Sequence, residues 1–386
     1  MHEKIGIYLD NAATTFPKPK QVIEAMEHCL KNSCVNAGRA VYELAQQASL
    51  LVSETRASVA DLLGFKTGEI IFSPSATIAL NQIIFGIAWK RGDVVYTTPL
   101  EHNSVMRPLY QLAERIGVEI FNLPLEPGSL IYDINEIQKA FFNNPPTAVV
   151  MSHVSNVCGS ITPIEKIAEE AKKYDAIVVI DGAQAGPLVP PRETNNIDFY
   201  VFSGHKTFYG PFGIAGFWYN AKSDLKPILF GGTGNFSEEL SMPEELPYKY
   251  EVGSHNIVAI AGLNAACKWL KEVGPANILN HERELMFQVV DFLHDKEEFK
   301  CFISEDKSSQ TGIFSLVIDG YSSQEVASIL DQEFNIFVRA GLHCAPTAHT
   351  FLDTMPLGTV RVSLSYFNSM DDIDCLVEAL AEIMNA

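Results

Sequence analysis

Val178-Val179-Ile180-Asp181-Gly182-Ala183-Gln184 is an apolar run that ends on a carboxylate. About twenty residues on, Asp198-Phe199-Tyr200-Val201-Phe202-Ser203-Gly204-His205-Lys206 repeats the design and ends on a lysine. Short apolar runs without alternation belong to strands covered on both faces. Val94–Tyr96, Ala148–Met151 and Ile177–Ile180 have the same texture. Between them lie amphipathic stretches such as Ile164–Tyr174, which turns Glu165, Lys166, Glu169, Glu170, Lys172 and Lys173 to water. Strands alternating with helices predict an α/β fold with a mostly parallel central sheet, helices on both faces and ligands at the carboxyl ends of the strands.

After about Pro247 the texture changes. A long helical pattern over Val258–Leu293 precedes strand candidates at Ile313–Ile318 and Asn335–Arg339, and a helix over Met370–Met384 closes the chain. This predicts a large domain over 16–247 and a smaller α+β domain over 248–386, with an N-terminal segment, 1–15, packing with the small one. The chain has 386 residues, 47% hydrophobic and 19% charged, enough to bury a sizeable core. Its net charge of −19 speaks against nucleic acid or anionic membrane as a partner and suits solubility and a basic protein partner. No signal peptide and no apolar run of spanning length is read from the sequence. Seven cysteines scattered without CxxC pairs read as reduced and intracellular, so a cytoplasmic location is expected.

Three strand ends carry the chemistry. Besides Asp181 and Lys206 there is Pro99-Leu100-Glu101-His102-Asn103-Ser104, which follows Val94–Tyr96. A pyridoxal-phosphate (PLP) site needs a lysine for the Schiff base, an acid for the pyridine nitrogen, a flat group over the ring and donors for the phosphate. Lys206, at the end of an apolar strand, would be partly desolvated and so nucleophilic and basic. Asp181 suits the pyridine nitrogen, His102 the stack, and Gln184 the ring's phenolic oxygen. Ser73-Pro74-Ser75-Ala76-Thr77 opens the apolar helical stretch Ile78–Trp89, whose N-terminus offers N–H donors to an anion, completed by Thr77, Ser203 and His205. Taken one at a time, a strand-end Asp is often a cap, a lone His a satisfied structural residue and a Lys a solvated charge. Their order along the chain makes a site of them.

Asp181-Gly182-Ala183-Gln184 followed by Ser203-Gly204-His205-Lys206 resembles the central motifs of the class V aminotransferase superfamily, and more narrowly those of the cysteine desulfurases. Tyr8-Leu9-Asp10-Asn11-Ala12-Ala13-Thr14-Thr15, His153-Val154-Ser155-Asn156 and Gly253-Ser254-His255-Asn256 match as well, so the resemblance runs from near residue 8 to past Arg361. It implies a PLP-dependent transferase of fold type I. It also implies that Asn156 contacts the ring substituents, and that Ser254 reaches the phosphate of the other subunit of a homodimer.

Val338-Arg339-Ala340-Gly341-Leu342-His343-Cys344-Ala345-Pro346 reads as a loop, and a cysteine there can ionise and move between substrate and acceptor. Arg339 and His343 would favour the thiolate. Arg361, seventeen residues after Cys344, suits bidentate capture of an amino-acid carboxylate. His343, Cys344 and His349 lack further ligands at zinc spacing, so no metal is expected. The family's catalytic cysteine sits in a similar His-Cys-Ala context, which points to Cys344, and the short Cys344–Arg361 interval resembles the group II desulfurases.

The activity the resemblance implies is L-cysteine to L-alanine, with sulfur passing to Cys344 and on to an acceptor protein. Lys206, Cys344 and His102 would be catalytic, and Arg361, Asn156 and Arg339 would hold substrate. Departures from the family pattern cluster on the substrate side. Tyr42, in Asn36-Ala37-Gly38-Arg39-Ala40-Val41-Tyr42, stands where relatives often have a histidine. Leu342 replaces another, and Ala345-Pro346-Thr347-Ala348-His349 is an unusual continuation. The alternatives are a selenocysteine lyase, another sulfur amino-acid β-lyase or an aminotransferase on the same scaffold, and a protein that keeps PLP only for structure.

Overall fold

The computed structural model describes residues 6–385 except 39, 236, 237 and 239. The chain opens with β1 (Ile7–Tyr8), α1 (Lys20–Asn32) and α2 (Glu43–Leu62). It then alternates through β2 (Glu69–Ser73), α3 (Ala76–Gly86), β3 (Val94–Thr97), α4 (Asn103–Ile116), β4 (Glu119–Asn122), α5 (Ile134–Asn143), β5 (Ala148–Ser152), α6 (Ile164–Lys172), β6 (Ile177–Asp181), β7 (Phe199–Ser203) and β8 (Ala215–Tyr219). Seven strands form one sheet in the order β2-β8-β7-β6-β5-β3-β4. Only β8 runs against its neighbours, so β2, β3, β5, β6 and β7 all point their carboxyl ends at the same edge.

The apolar runs are unbroken because both faces of the sheet are covered. Val149, Met151, Val178, Ile180, Tyr200 and Phe202 enter one core, while Ala148, Val150, Val179, Phe199 and Val201 enter the core on the other face. Successive side chains of a strand point to opposite faces, and here each face meets helices.

The rest of the chain comprises α7 (Ile257–Val273), α8 (Pro275–Leu293), β9 (Phe299–Phe302), β10 (Ile313–Ile318), α9 (Ser323–Phe334), β11 (Ile336–Phe337), β12 (Arg339–Gly341), α10 (Pro346–Phe351), β13 (Thr359–Ser363) and α11 (Met370–Asn385). A four-stranded antiparallel sheet, β12-β13-β10-β9, packs with α8, α9 and α11 around a core of its own. β1 pairs with β11, so the N-terminal segment is laced to this smaller unit.

Past residue 247 the next two helices divide between the two cores. The predicted single helix over 258–293 is two, separated at Gly274-Pro275, where Gly274 has φ of 86° and proline begins the next helix. The first of them, α7, packs against α1 and α2 in the core of the large unit. α8 crosses between the units: Ile278 and Leu279 lie in the large core, Leu285, Met286, Val289 and Leu293 in the small one. α7 buries apolar residues around most of its circumference, and such a helix carries no sequence signal saying which core will take it. Among the described residues, no helix is long and apolar enough to cross a membrane.

Candidate active site

At the shared edge of the large sheet, the ends of β5, β6 and β7 and the loops after β2 and β3 enclose a cavity of about 100 Å³. Its lining brings together Ala76, Thr77, His102, Asn156, Asp181, Gln184, Ser203, His205 and Lys206, drawn from five separate segments of the chain. Parallel strands converge their carboxyl ends, so residues a hundred positions apart become neighbours.

Lys206 is set in the protein wall and keeps partial access to the cavity. Burial lowers its pKa to about 8; Asp181 pulls it back up, while Arg361 and Arg339 press it further down. Asp181 is buried, and burial raises its pKa against the opposing effects of the Ala183 N–H, which donates to Oδ1 at 3.0 Å, and of Lys206. Gly182, between them, is required by space: a Cβ there would come within 2.3 Å of the Tyr200 ring.

His102 caps α4, and its Nδ1 accepts from the Ser104 N–H at 3.0 Å, which places the proton of the neutral ring on Nε2. Burial, reinforced by Lys206, Arg361, Arg107 and Arg339, lowers its pKa to about 4. The ring is therefore flat, neutral and held. Ser104 Oγ extends the hold, lying 2.8 Å from Nδ1 and 2.9 Å from Thr77 Oγ1. Ser104 was not singled out from sequence; its place two residues after a capping histidine is the signal that would have found it.

Ser75 caps α3 by accepting from the Ile78 N–H at 3.2 Å, which leaves the first turn at Ala76 and Thr77 open to the cavity. His205 stacks on Phe212 with ring centroids 4.4 Å apart. Burial, with Lys206 and Lys18 adding to it, lowers its pKa to about 3, and its buried Nδ1 has no partner. Gln184 commits one amide N–H to the Ala12 carbonyl at 2.8 Å, leaving its second N–H for a ligand.

A buried acid, a partly neutral lysine, a flat neutral ring, an open helix N-terminus and an orphaned imidazole nitrogen together fit the needs of PLP. The Ser254 expectation is different. Ser254 is absent from this lining and sits in a separate surface cavity of about 740 Å³ with Asn36, Gly38, Arg56, Gly232, Thr233, Gly234 and Glu251. Arg39, in the Asn36–Tyr42 run, lies outside the described residues; Tyr42 is exposed at the start of α2.

Cys344 is exposed on the connection from β12 to α10. Its carbonyl accepts from the Asn103 N–H at 2.7 Å, and the His343 carbonyl accepts from Asn156 Nδ2 at 2.8 Å. Both anchors belong to the wall of the Lys206 cavity or adjoin it. His343 and Cys344 take φ values of 48° and 57°, a strained left-handed pair for residues with side chains, which those anchors hold in place. His343 does not act as expected. Burial, with Arg361, His349 and Arg339 adding to it, lowers its pKa to about 2, and its Nε2 meets Thr359, so it supplies no positive charge to Cys344. Among the described residues no group of three side chains could hold a metal ion.

Arg361 is buried on β13. Nη1 donates to the Asn156 carbonyl at 3.0 Å and Nη2 to Asp10 Oδ1 at 2.6 Å, while Arg339 Nη1 lies 3.6 Å from Asp10 Oδ2. Nothing in the Tyr8–Thr15 run itself assigns Asp10 a role. Its partners come from the far end of the chain, which no spacing rule reveals.

A model of the family described as Aminotransferase class-V matches residues 7–376. A probable cysteine desulfurase of Aeropyrum pernix is 34% identical over 397 residues, covering 98% of this chain and 94% of that protein. One from Halalkalibacterium halodurans is 34% identical over 387 residues, covering 97% and 92%. The apo structure of the cysteine desulfurase of Thermococcus onnurineus superposes with a TM-score of 0.91 at 31% identity, covering 98% of this chain and 95% of that one. The chain belongs to the class V aminotransferase family, whose enzymes work with PLP. Within that family it groups with the cysteine desulfurases.

Proposed function

We propose that this protein is a PLP-dependent cysteine desulfurase that converts L-cysteine to L-alanine and passes the sulfur, through a persulfide on Cys344, to an acceptor protein. The observation that carries this reading is an exposed cysteine anchored at the rim of a cavity that holds a partly neutral lysine, a buried acid and a neutral histidine. Lys206 would carry the cofactor. Asp181 would pair with the ring nitrogen, Asn156 and the free N–H of Gln184 would meet the ring substituents, and Ala76, Thr77, Ser203 and His205 would hold the phosphate.

When bound there, PLP supplies an electron sink that acidifies the substrate α-proton and weakens the bond from Cβ to sulfur. Arg361 and Arg339 hold the substrate carboxylate. The Lys206 amine, which burial makes available near neutral pH, takes the α-proton. His102, neutral and fixed through Ser104, presents a flat wall and an Nε2 proton to the cavity. Cys344 Sγ, as thiolate, forms a bond to the substrate sulfur. The bond from that sulfur to Cβ breaks, its electron pair stays with the carbon, and protonation there completes alanine.

The short β12–α10–β13 connection supports group II. A second copy is the natural source of groups to fill the 740 Å³ cavity around Ser254, which supports a homodimer. Seven unpaired cysteines support a cytoplasmic setting. The test is to purify the protein, record the PLP band expected near ~420 nm, and assay sulfide and alanine with L-cysteine and a thiol reductant, with Cys344→Ala alongside. Equal amounts of both products, and a yellow but inactive variant, are expected. A yellow protein that ignores cysteine redirects the reading to selenocysteine or transamination. Full turnover by Cys344→Ala overturns the nucleophile.

A further inference from the structure

Asp10 sits between two guanidinium groups, at 2.6 Å from Arg361 Nη2 and 3.6 Å from Arg339 Nη1. It is fixed there from several sides. Its backbone bridges Ser363, which lies two residues beyond Arg361 on the same strand and so on the same face. The Asp10 carbonyl accepts from Tyr8 Oη and from the Ala13 N–H, each at 3.1 Å. Next to it Ala12 N–H donates to Ser363 Oγ at 2.9 Å, and Asn11 Nδ2 to the Ser363 carbonyl at 2.9 Å. The carboxylate therefore cannot drift away from Arg361.

Arg361 is 2% exposed, and a guanidinium carries five N–H donors. One goes to Asp10 and one to the Asn156 carbonyl, while Nε is buried with no partner. A buried donor without a partner is a place for a ligand oxygen, and the Asn156 that Arg361 holds lines the Lys206 cavity. Asp10 thus orients the fork on one side and leaves donors free for another anion. It also sets the charge. Two cations facing one carboxylate leave the corner with a single positive charge, matched to a single incoming carboxylate.

We propose that Asp10 is a positioning and specificity residue: it orients Arg361 and trims the Arg361–Arg339 corner to one net positive charge, so that the site takes amino acids with one carboxylate and disfavours those with two. This rests on Arg361 being the ligand of the substrate carboxylate, as in the function proposed above. A second carboxylate on the substrate meets the fixed negative charge of Asp10 at short range, where the medium screens little. Asp10→Asn keeps the size and one acceptor oxygen while raising the corner by one positive charge. Arg339→Gln lowers it by one.

The experiment titrates the PLP-loaded protein with L-alanine, L-alaninamide and L-aspartate, following the PLP absorbance band, for the wild type and both variants. In the wild type, L-alanine binds better than L-alaninamide and better than L-aspartate. Asp10→Asn shifts the aspartate-to-alanine preference towards aspartate by about tenfold, and Arg339→Gln shifts it the other way, with the melting temperature followed for each. If Asp10→Asn fails to fold, Arg339→Gln decides by its own shift. An unchanged preference with carboxylate dependence intact overturns the role of Asp10 alone, as does an equal loss of both ligands. A wild type that binds L-alaninamide as well as L-alanine overturns the reading of Arg361, and the proposal with it.

Discussion

Lys206 is the residue whose titration the structure constrains most sharply. An ordinary lysine has a pKa near 10.5, so at pH 7.5 only about one in a thousand is neutral. At about 8, the neutral fraction of Lys206 at pH 7.5 is roughly a quarter. Burial makes the difference, and Asp181 works against it by favouring the ammonium. The perturbation is Asp181→Asn. Removing that negative charge should lower the Lys206 pKa by about one unit more. Two consequences then have opposite signs. Capture of PLP by the stripped protein, followed near ~420 nm as a function of pH, should show a midpoint near 8 in the wild type and near 7 in the variant. Turnover of L-cysteine should fall by about 100-fold or more, because the acid proposed to pair with the cofactor's ring nitrogen is gone. A wild-type midpoint near that of free lysine refutes the burial argument. A variant midpoint that moves up refutes the assignment of Asp181 as the charge facing Lys206.

Gly182→Ala would drive a Cβ to 2.3 Å from the Tyr200 ring, and Tyr200 is fully buried; a loss of about 2–4 kcal/mol of stability and of PLP retention is expected by denaturant unfolding and absorbance. Ser104→Ala leaves the backbone cap on His102 but removes the link to Thr77, so kcat should drop about tenfold with stability changed by no more than about 1 kcal/mol. Buried Glu282, hydrogen-bonded by Tyr209 at 3.1 Å, has its pKa raised to about 8 by burial. A raised carboxylate pKa means that the folded state holds its proton longer than the unfolded one, so the wild type loses stability as pH rises from about 4.5 to about 8, by at most ~1.4 kcal/mol per unit. Glu282→Gln should therefore gain on the wild type across that window in unfolding experiments, and a pH-independent difference would contradict it.

The strand ends were legible because a buried parallel strand writes its signature locally. Asp181, His102 and Lys206 each follow an apolar run, and the cavity forms where those runs end. The loop character of Cys344 was equally local, signalled by Gly341 and Pro346. The role of His343 was misjudged for an equally plain reason: sequence adjacency to Cys344 says nothing of burial, and burial is what keeps that imidazole neutral. The core that takes α7 was not legible, because that helix is apolar enough to suit either one, and only packing against α1 and α2 decides it.

By itself, the sequence determined the layered α/β architecture and the family, and it named the strand-end side chains proposed to hold the cofactor, since periodicity and strand-end chemistry depend on neighbours a few positions apart. Only the tertiary structure decided how far burial moves Lys206, why Ser254 stands apart from the cavity, and what Asp10 faces. Those are properties of surroundings assembled from distant segments: Arg361 meets Asp10 across almost the whole length of the chain, and desolvation exists only once that packing has closed.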